Sequence, residues 1–166
     1  MATQLNSDST ERLERSLAAA WVTHGLRPEA RARMVALARL DVLPPNTMIT
    51  REGELAEDFG VVLAGRVALR TRVPERGMVT ILTVEPGDIV GWSSVVPPYR
   101  ATSTAITLVP TEIALFEGSR LRAELEQQPE LAAQVYPLLL RAVSRRLEGT
   151  RLQLLDLFTQ RWVDPW

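Results

Sequence analysis

The run FGVVLAGRVALRTRVPERGMVTILTVEPGDIVG, residues 59–91, decides the fold class. Short stretches of β-branched and apolar residues alternate with turn formers: Ala64-Gly65, Pro74-Glu75-Arg76-Gly77 and Pro86-Gly87-Asp88. Glycine supplies positive φ and proline a fixed φ, so each cluster closes one strand and opens the next. The run predicts strands at Gly60–Leu63, Arg66–Val73, Val79–Val84 and Ile89–Gly91. The pattern continues outward. Thr47–Thr50 precedes a Glu52-Gly53 turn, and Ser103–Leu108 and Glu112–Phe116 flank Val109-Pro110. Many short strands, evenly spaced and each closed by a turn, predict a small antiparallel sandwich or roll. No long helical pattern interrupts residues 47–116, so a parallel doubly wound sheet is not expected.

Both flanks read as helix. Residues 1–9 are mostly polar and expected to fray, and a first helix is expected from Ser9 or Thr10 to about Val22, with Glu11 and Glu14 suiting its positive end. A second starts at Pro28 and runs to about Leu40, before Leu43-Pro44-Pro45-Asn46 stops all helix. After the roll a short helix is expected at Arg120–Gln127 and a long one at about Pro129–Phe158. The long helix carries the stripe Leu139, Val143, Leu147, Thr150, Leu154, Phe158, whose steps of three and four keep one face. Pro137 and Gly149 weaken it locally. About 30 residues rise about 45 Å, longer than a small roll can cover, and the uncovered stripe is best met by a second copy of the same helix. The expected organisation is one α+β domain: N-terminal helices over residues 1–46, a roll over 47–118, and C-terminal helices with a tail over 119–166.

Composition removes most catalytic classes. The 166 residues include no cysteine, one histidine (His24), and 19 basic residues that are all arginine against 20 acidic ones. Disulfides, thiolate nucleophiles and Cys-ligated metals are excluded, and a His-rich metal site is out of reach. Metal enzymes built on a roll of this kind need two or three histidines and a carboxylate around one metal, so that reading fails as well. There is no phosphate loop, no paired carboxylates at a useful spacing and no nucleophile motif, so no catalytic residue and no metal ligand is assigned. A net charge of −1 gives no electrostatic footprint for nucleic acid or an anionic membrane. The polar, acid-bearing start MATQLNSDSTERLERS has neither a secretory nor a transit pattern, and no run is long enough to span a bilayer. A soluble cytoplasmic protein is expected.

Several motifs then fall into a known order. They are Arg51-Glu52-Gly53-Glu54; Phe59 to Val67; Glu85-Pro86-Gly87-Asp88-Ile89-Val90-Gly91; Tyr99-Arg100-Ala101-Thr102; Ala114-Leu115-Phe116; and Arg145-Arg146-Leu147 on the long helix. From about Arg39 to Phe158 the chain resembles the cyclic-nucleotide-binding domain of the catabolite activator (Crp/Fnr) family of bacterial regulators. The resemblance implies a jelly-roll-like antiparallel β-roll, or double-stranded β-helix, with a long C-terminal dimerisation helix. It also implies a phosphate-binding cassette, here residues 91–102, that opens with glycine and closes with arginine and a small residue. Gly91 and Arg100 match. Ser93, Ser94, Ala101 and Thr102 stand where N–H or hydroxyl donors would complete an anion site. Thr150, the polar member of the long-helix stripe, matches a position that meets the nucleotide base. The resemblance therefore implies a sensor of cAMP, cGMP or a related small anion, with no required cofactor, that signals through dimer-helix pairing to a protein partner.

Two features depart from the family. Its ribose-binding glutamate falls on Trp92, whose indole donates and does not accept. Only eight residues follow Phe158, too few for a DNA-reading domain, so direct DNA binding is not expected. A ligand-free dimerisation or scaffold module with a degenerate pocket is thus the rival reading. Individual residues keep a plainer alternative. Arg100 could pair with Glu54 or Glu57. Trp92 could stack on a base or plug the core. Thr150 could bond its own helix carbonyl. Tyr99 could cover the site or lie on the surface. Arg141, Arg145 and Arg146 read as a solvated helix face, His24 as a loop residue, and Trp162 and Trp166 as a tail that docks on the roll or a partner.

Overall fold

A computed structural model describes the backbone of residues 2–160, and the side chains of residues 10–152 and Leu155. Trp162 and Trp166, and the side chains of Leu154 and Phe158, lie outside the described residues. Two helices come first, α1 (Ala2–Ala19) and α2 (Pro28–Leu37). Eight strands follow: β1 (Ala38–Leu43), β2 (Met48–Thr50), β3 (Asp58–Ala64), β4 (Val67–Val73), β5 (Gly77–Val84), β6 (Ile89–Val90), β7 (Thr104–Thr107) and β8 (Thr111–Glu117). Then come α3 (Gly118–Gln127) and α4 (Pro129–Gln160). All strand pairs are antiparallel, in two four-stranded sheets ordered β1-β8-β3-β6 and β2-β7-β4-β5. The roll expected from the sequence is the fold.

Within the first sheet β3 and β8 are buried on both faces, which explains the continuous apolar run in β3. Val62 of β3 with Ile113 and Leu115 of β8 faces Val67, Leu69, Val84 and Ala105 of the second sheet. Phe59 and Val61 with Ala114 and Phe116 face the helices, among Leu17, Leu121, Leu125 and Val135. The rings of Phe59 and Phe116 are 5.5 Å apart and tilted at 47°. Three layers result: second sheet, first sheet, helices. Each fully buried large apolar side chain contributes about 1.5–3 kcal/mol, so β3 and β8 anchor the molecule.

Three boundaries differ from expectation. The first helix begins at Ala2, because residues 2–9 hold no glycine or proline to stop it. It ends at Ala19 rather than near Val22, where the Thr23 hydroxyl takes the carbonyls of Leu17 and Ala20 and turns the chain. The second helix ends at Leu37. Ala38 is already extended, at φ −85° and ψ 149°. Residues 38–43, helix formers by propensity, instead pair with β8 in the register Ala38 with Phe116 to Leu43 with Thr111. Sheet pairing overrides local preference there.

The long helix carries two apolar stripes. Leu131, Val135, Leu138, Leu139 and Ala142 are buried against the roll and the other helices. Tyr136, Leu140 and Leu147 lie on the other side and are exposed, Leu140 by 70%. Leu139, expected on the outward stripe, belongs to the inward one.

Candidate functional site

The cassette opens where β6 ends. Gly91 has φ +66° and caps a single 3₁₀ turn, Trp92–Ser94. A Cβ at this position would overlap the carbonyl oxygen of Asp58 on β3. Only glycine combines that left-handed backbone with that approach. The Ser94 and Val95 N–H groups donate to the carbonyls of Gly91 and Trp92, at 2.9 and 3.1 Å. Ser93 and Ser94 are both buried, and the Ser94 Oγ has no hydrogen-bond partner among the described residues.

The cassette closes against residues 53–56. Ala101 N–H donates to the Glu54 carbonyl at 2.9 Å, and Gly53 N–H donates back to Ala101 at 2.8 Å. Ala56 N–H donates to the Tyr99 carbonyl at 2.8 Å, and Leu55 and Arg100 form an isolated antiparallel bridge. The run 53–58 therefore holds both ends of the cassette. Arg100 is exposed and donates from Nη1 to the Gly53 carbonyl at 2.9 Å, not to Glu54 or Glu57. Glu54 pairs with Arg51 instead, at 3.4 Å. Thr102 is exposed beside it. Thus the backbone N–H groups of Ser94 and Ala101, expected as anion donors, are committed within the fold, and Ser94 is wholly buried. Arg100 and Thr102 stand in solvent.

Trp92 is half-buried and packs against the helix-facing core. With Val96 it lines an apolar groove of about 490 Å³ whose far wall is Tyr136, Leu140 and Val143 of α4. Thr150 is exposed, and its hydroxyl donates to the Arg146 carbonyl at 2.9 Å, one turn back on its own helix. His24 is exposed in the loop between α1 and α2. No cluster of three or more His, Cys, Asp or Glu that could hold a metal occurs among the described residues.

Three arginines matter that sequence reasoning passed over or assigned to solvent. Arg122 of α3 donates from Nη1 to the Ser94 carbonyl, and its guanidinium lies 4.3 Å from the centre of the Tyr99 ring. It clamps the two halves of the cassette together. Arg145 is not simply solvated: its guanidinium lies 4.2 Å from the centre of the Trp21 ring. Arg146 is largely buried. Its Nη2 donates to the Ile89 carbonyl and stands 3.5 Å from an Asp88 carboxylate oxygen. Burial pushes its guanidinium below the ordinary arginine value, while the Asp88 charge pulls it back. The sequence held a signal for this one. Val135, Leu139, Ala142 and Arg146 step by 4, 3 and 4, so Arg146 continues the buried stripe.

Comparisons with known proteins agree with this fold. A family model described as the cyclic nucleotide-binding domain matches residues 40–128. A curated relative, the CRP-like cAMP-activated global transcriptional regulator of Mycobacterium tuberculosis, is 29% identical over 146 residues. That alignment takes in 87% of this chain and 63% of the relative, so the chain spans under two thirds of the relative's length. A solved cyclic nucleotide-binding protein from Geobacter metallireducens is 27% identical, with a TM-score of 0.71, over 84% of this chain and 98% of that one. A cyclic nucleotide-binding domain from Methylobacillus flagellatus superposes with a TM-score of 0.76 at 20% identity, over 89% and 83%. With its roll, its glycine-to-arginine cassette and a family match over more than half its length, the chain belongs to the cyclic nucleotide-binding domain family.

Proposed function

We propose that this chain is a cytoplasmic sensor domain that takes a cyclic nucleotide, cAMP or cGMP, or a related small anion at the cassette. Arg100 is the anion-binding side chain, with Thr102 beside it and Gly91 with the Trp92–Ser94 turn at the opening of the cassette. One observation carries the reading: Arg100 is exposed, with its backbone bridged to Leu55 and one guanidinium nitrogen held by the Gly53 carbonyl. A planar guanidinium fixed at one nitrogen keeps other N–H donors to meet a phosphate. No catalytic role is proposed, and no DNA contact is proposed for these 166 residues.

The output is pairing of α4 with a second copy, which a partner protein reads. Leu140 and Leu147, 70% and 59% exposed, lie one above the other two turns apart with Tyr136 and Val143 beside them. Burying each leucine in a seam is worth about 1.5–3 kcal/mol. Sedimentation should give a dimer at micromolar concentration and a monomer for Leu140→Glu with Leu147→Glu. A wild-type monomer would remove this part of the proposal.

Calorimetry with cAMP and cGMP tests the ligand. Binding is expected in the micromolar range or weaker, since the acid that would hold a ribose is replaced by Trp92. One charged hydrogen bond is worth about 1.5–3 kcal/mol, roughly ten- to a hundred-fold in affinity. The second reading, a ligand-free scaffold, is favoured by the place of Trp92 itself. Its indole packs on the core and faces α4. Trp92→Glu should therefore destabilise the fold rather than tighten binding, because it puts a charge on an apolar wall. No heat from either nucleotide with a stable fold would favour the scaffold.

A further inference from the structure

The second sheet has an outer face turned away from the rest of the fold. Val67 and Leu69 of β4, Val84 of β5 and Ala105 of β7 point at the first sheet. Side chains alternate along a strand, so Ala68, Arg70 and Arg72 point the other way. Cross-strand partners share a face, which puts Ile106 and Met48 in the row of Ala68, and Met78 beside Arg72. Arg70 agrees with this side: its Nε donates to the Thr80 hydroxyl on β5 at 3.3 Å.

β7 starts at Thr104, opposite Arg70, so β4 runs past it. Glu52 fills the step. Its N–H donates to the Thr104 hydroxyl at 3.1 Å, and its carboxylate accepts the Thr71 hydroxyl and the Arg72 N–H. A groove of about 490 Å³ lies over this step. Met48 reaches it from one edge strand and Met78 from the other, with Ile106 between them, and Arg51 and Arg72 also line it. The two methionines are 45% and 48% exposed.

The charge around the groove differs from that of the whole chain, which is −1. Between residues 66 and 84, four arginines (Arg66, Arg70, Arg72 and Arg76) meet a single glutamate, Glu75. None of the four makes an ion pair among the described residues. Glu52 carries the acid in the groove, and its oxygens are already taken. Arg51 pairs with Glu54 at 3.4 Å, but both are exposed, and such a pair is cheaply exchanged for another carboxylate. Methionine adapts its shape to an apolar partner, and arginine meets carboxylates with a planar fork. Both are enriched in recognition surfaces.

We propose that this groove docks an acidic segment of another protein, which seats an apolar side chain between Met48 and Met78 and a carboxylate on Arg72. The inference rests neither on the ligand of the cassette nor on the pairing of α4.

An NMR titration of the full chain with the capped peptide Glu-Glu-Leu-Glu-Glu tests it. The amides of Met48, Arg72, Met78 and Ile106 should shift and saturate. Affinity should fall about ten-fold in Arg72→Gln, which loses a charged hydrogen bond, and about three-fold in Met78→Gln, which loses apolar contact. Arg120→Gln, the same charge loss on the exposed face of α3, should leave it unchanged. All three positions are exposed, so the variants keep the fold. Equal affinity for Lys-Lys-Leu-Lys-Lys would show apolar adhesion without charge recognition, and equal affinity for Glu-Glu-Gly-Glu-Glu would show charge without a seat; either overturns the proposal. So does an equal loss in Arg120→Gln, or no shift at these amides. Phosphatidylglycerol vesicles that bind through Arg72 while the peptide does not would put a membrane on this face instead.

Discussion

The two halves of the cassette have opposite physical characters. The first, Gly91–Val95, is built into the protein: Ser93, Ser94 and Val95 are buried, Gly91 presses on Asp58, and Arg122 takes the Ser94 carbonyl. The second, from Pro97 to Thr102, runs along the surface. It is tied to residues 53–56 by backbone bonds and presents Arg100 and Thr102 to water. A motif that reads as one unit in the sequence is thus half buried scaffold and half exposed surface. Substitutions in the first half should cost stability, and those in the second should cost affinity.

The largest effect is expected at Gly91. Alanine there carries a left-handed backbone penalty and a clash with the Asp58 carbonyl, together about 2–4 kcal/mol of destabilisation. Denaturant unfolding measures it directly. A loss below about 0.5 kcal/mol would mean that the opening half is not structural.

Arg122→Ala comes next. It removes the bond to Ser94 and the cation–π contact with Tyr99, by which Arg122 joins the two halves. The expected cost is about 1–3 kcal/mol, with Arg122→Lys recovering only part of it, because an ammonium lacks the planar face. Full recovery by lysine would show that charge alone holds the clamp.

These contrasts mark what the sequence could and could not convey. Strand and turn positions were legible because glycine and proline punctuate the roll at each turn, and the observed strands fall within a few residues of the expected ones. β1 was not legible, since Ala38–Leu43 prefers helix locally and becomes strand only through β8. The Gly91-to-Arg100 spacing was legible, and so was a glycine at a tight turn, which the φ of +66° at Gly91 requires. The commitment of the Ser94 and Ala101 N–H groups to the fold was not, because backbone partners depend on which distant segment, here residues 53–58, packs alongside. Leu139 and Leu140 are adjacent in sequence and face different sides of α4, so periodicity alone does not say which of them turns to the roll. Residue type alone points Arg146 to solvent, whereas its place on the buried stripe points inward, where it lies.

Arg100→Ala should give the reverse of the Gly91 result. The side chain is exposed and holds one carbonyl, so stability should change by no more than about 0.5 kcal/mol. Any affinity for a cyclic nucleotide should fall by roughly ten- to a hundred-fold or more. Tight binding that survives the substitution would move the site away from the second half altogether.

The smallest effect concerns what holds the turn beneath Arg100. Glu52, next to the Gly53 carbonyl that Arg100 bonds, accepts from the Thr71 hydroxyl at 2.7 Å and from the Arg72 N–H at 3.1 Å. These bonds, the Thr71 one first, favour the ionised form and hold the carboxyl below the usual glutamate value. The sign follows from that depression. The clasp is fully present above the unfolded-state pKa and is lost as pH falls through the lower folded one. Glu52 is exposed, so solvent screens the bonds and global stability should hardly register the change. Local structure should register it. In an NMR titration the Arg72 amide shift should move with a midpoint on the acid side of an ordinary glutamate, and the Gly53 amide should follow it if the clasp fixes the turn. Glu52→Gln, which keeps a carbonyl acceptor and cannot ionise, should abolish that titration. An Arg72 midpoint at the ordinary glutamate value, or one that persists in Glu52→Gln, would show that the turn under Arg100 stands without the clasp and that the second half is supported by its backbone ladder alone.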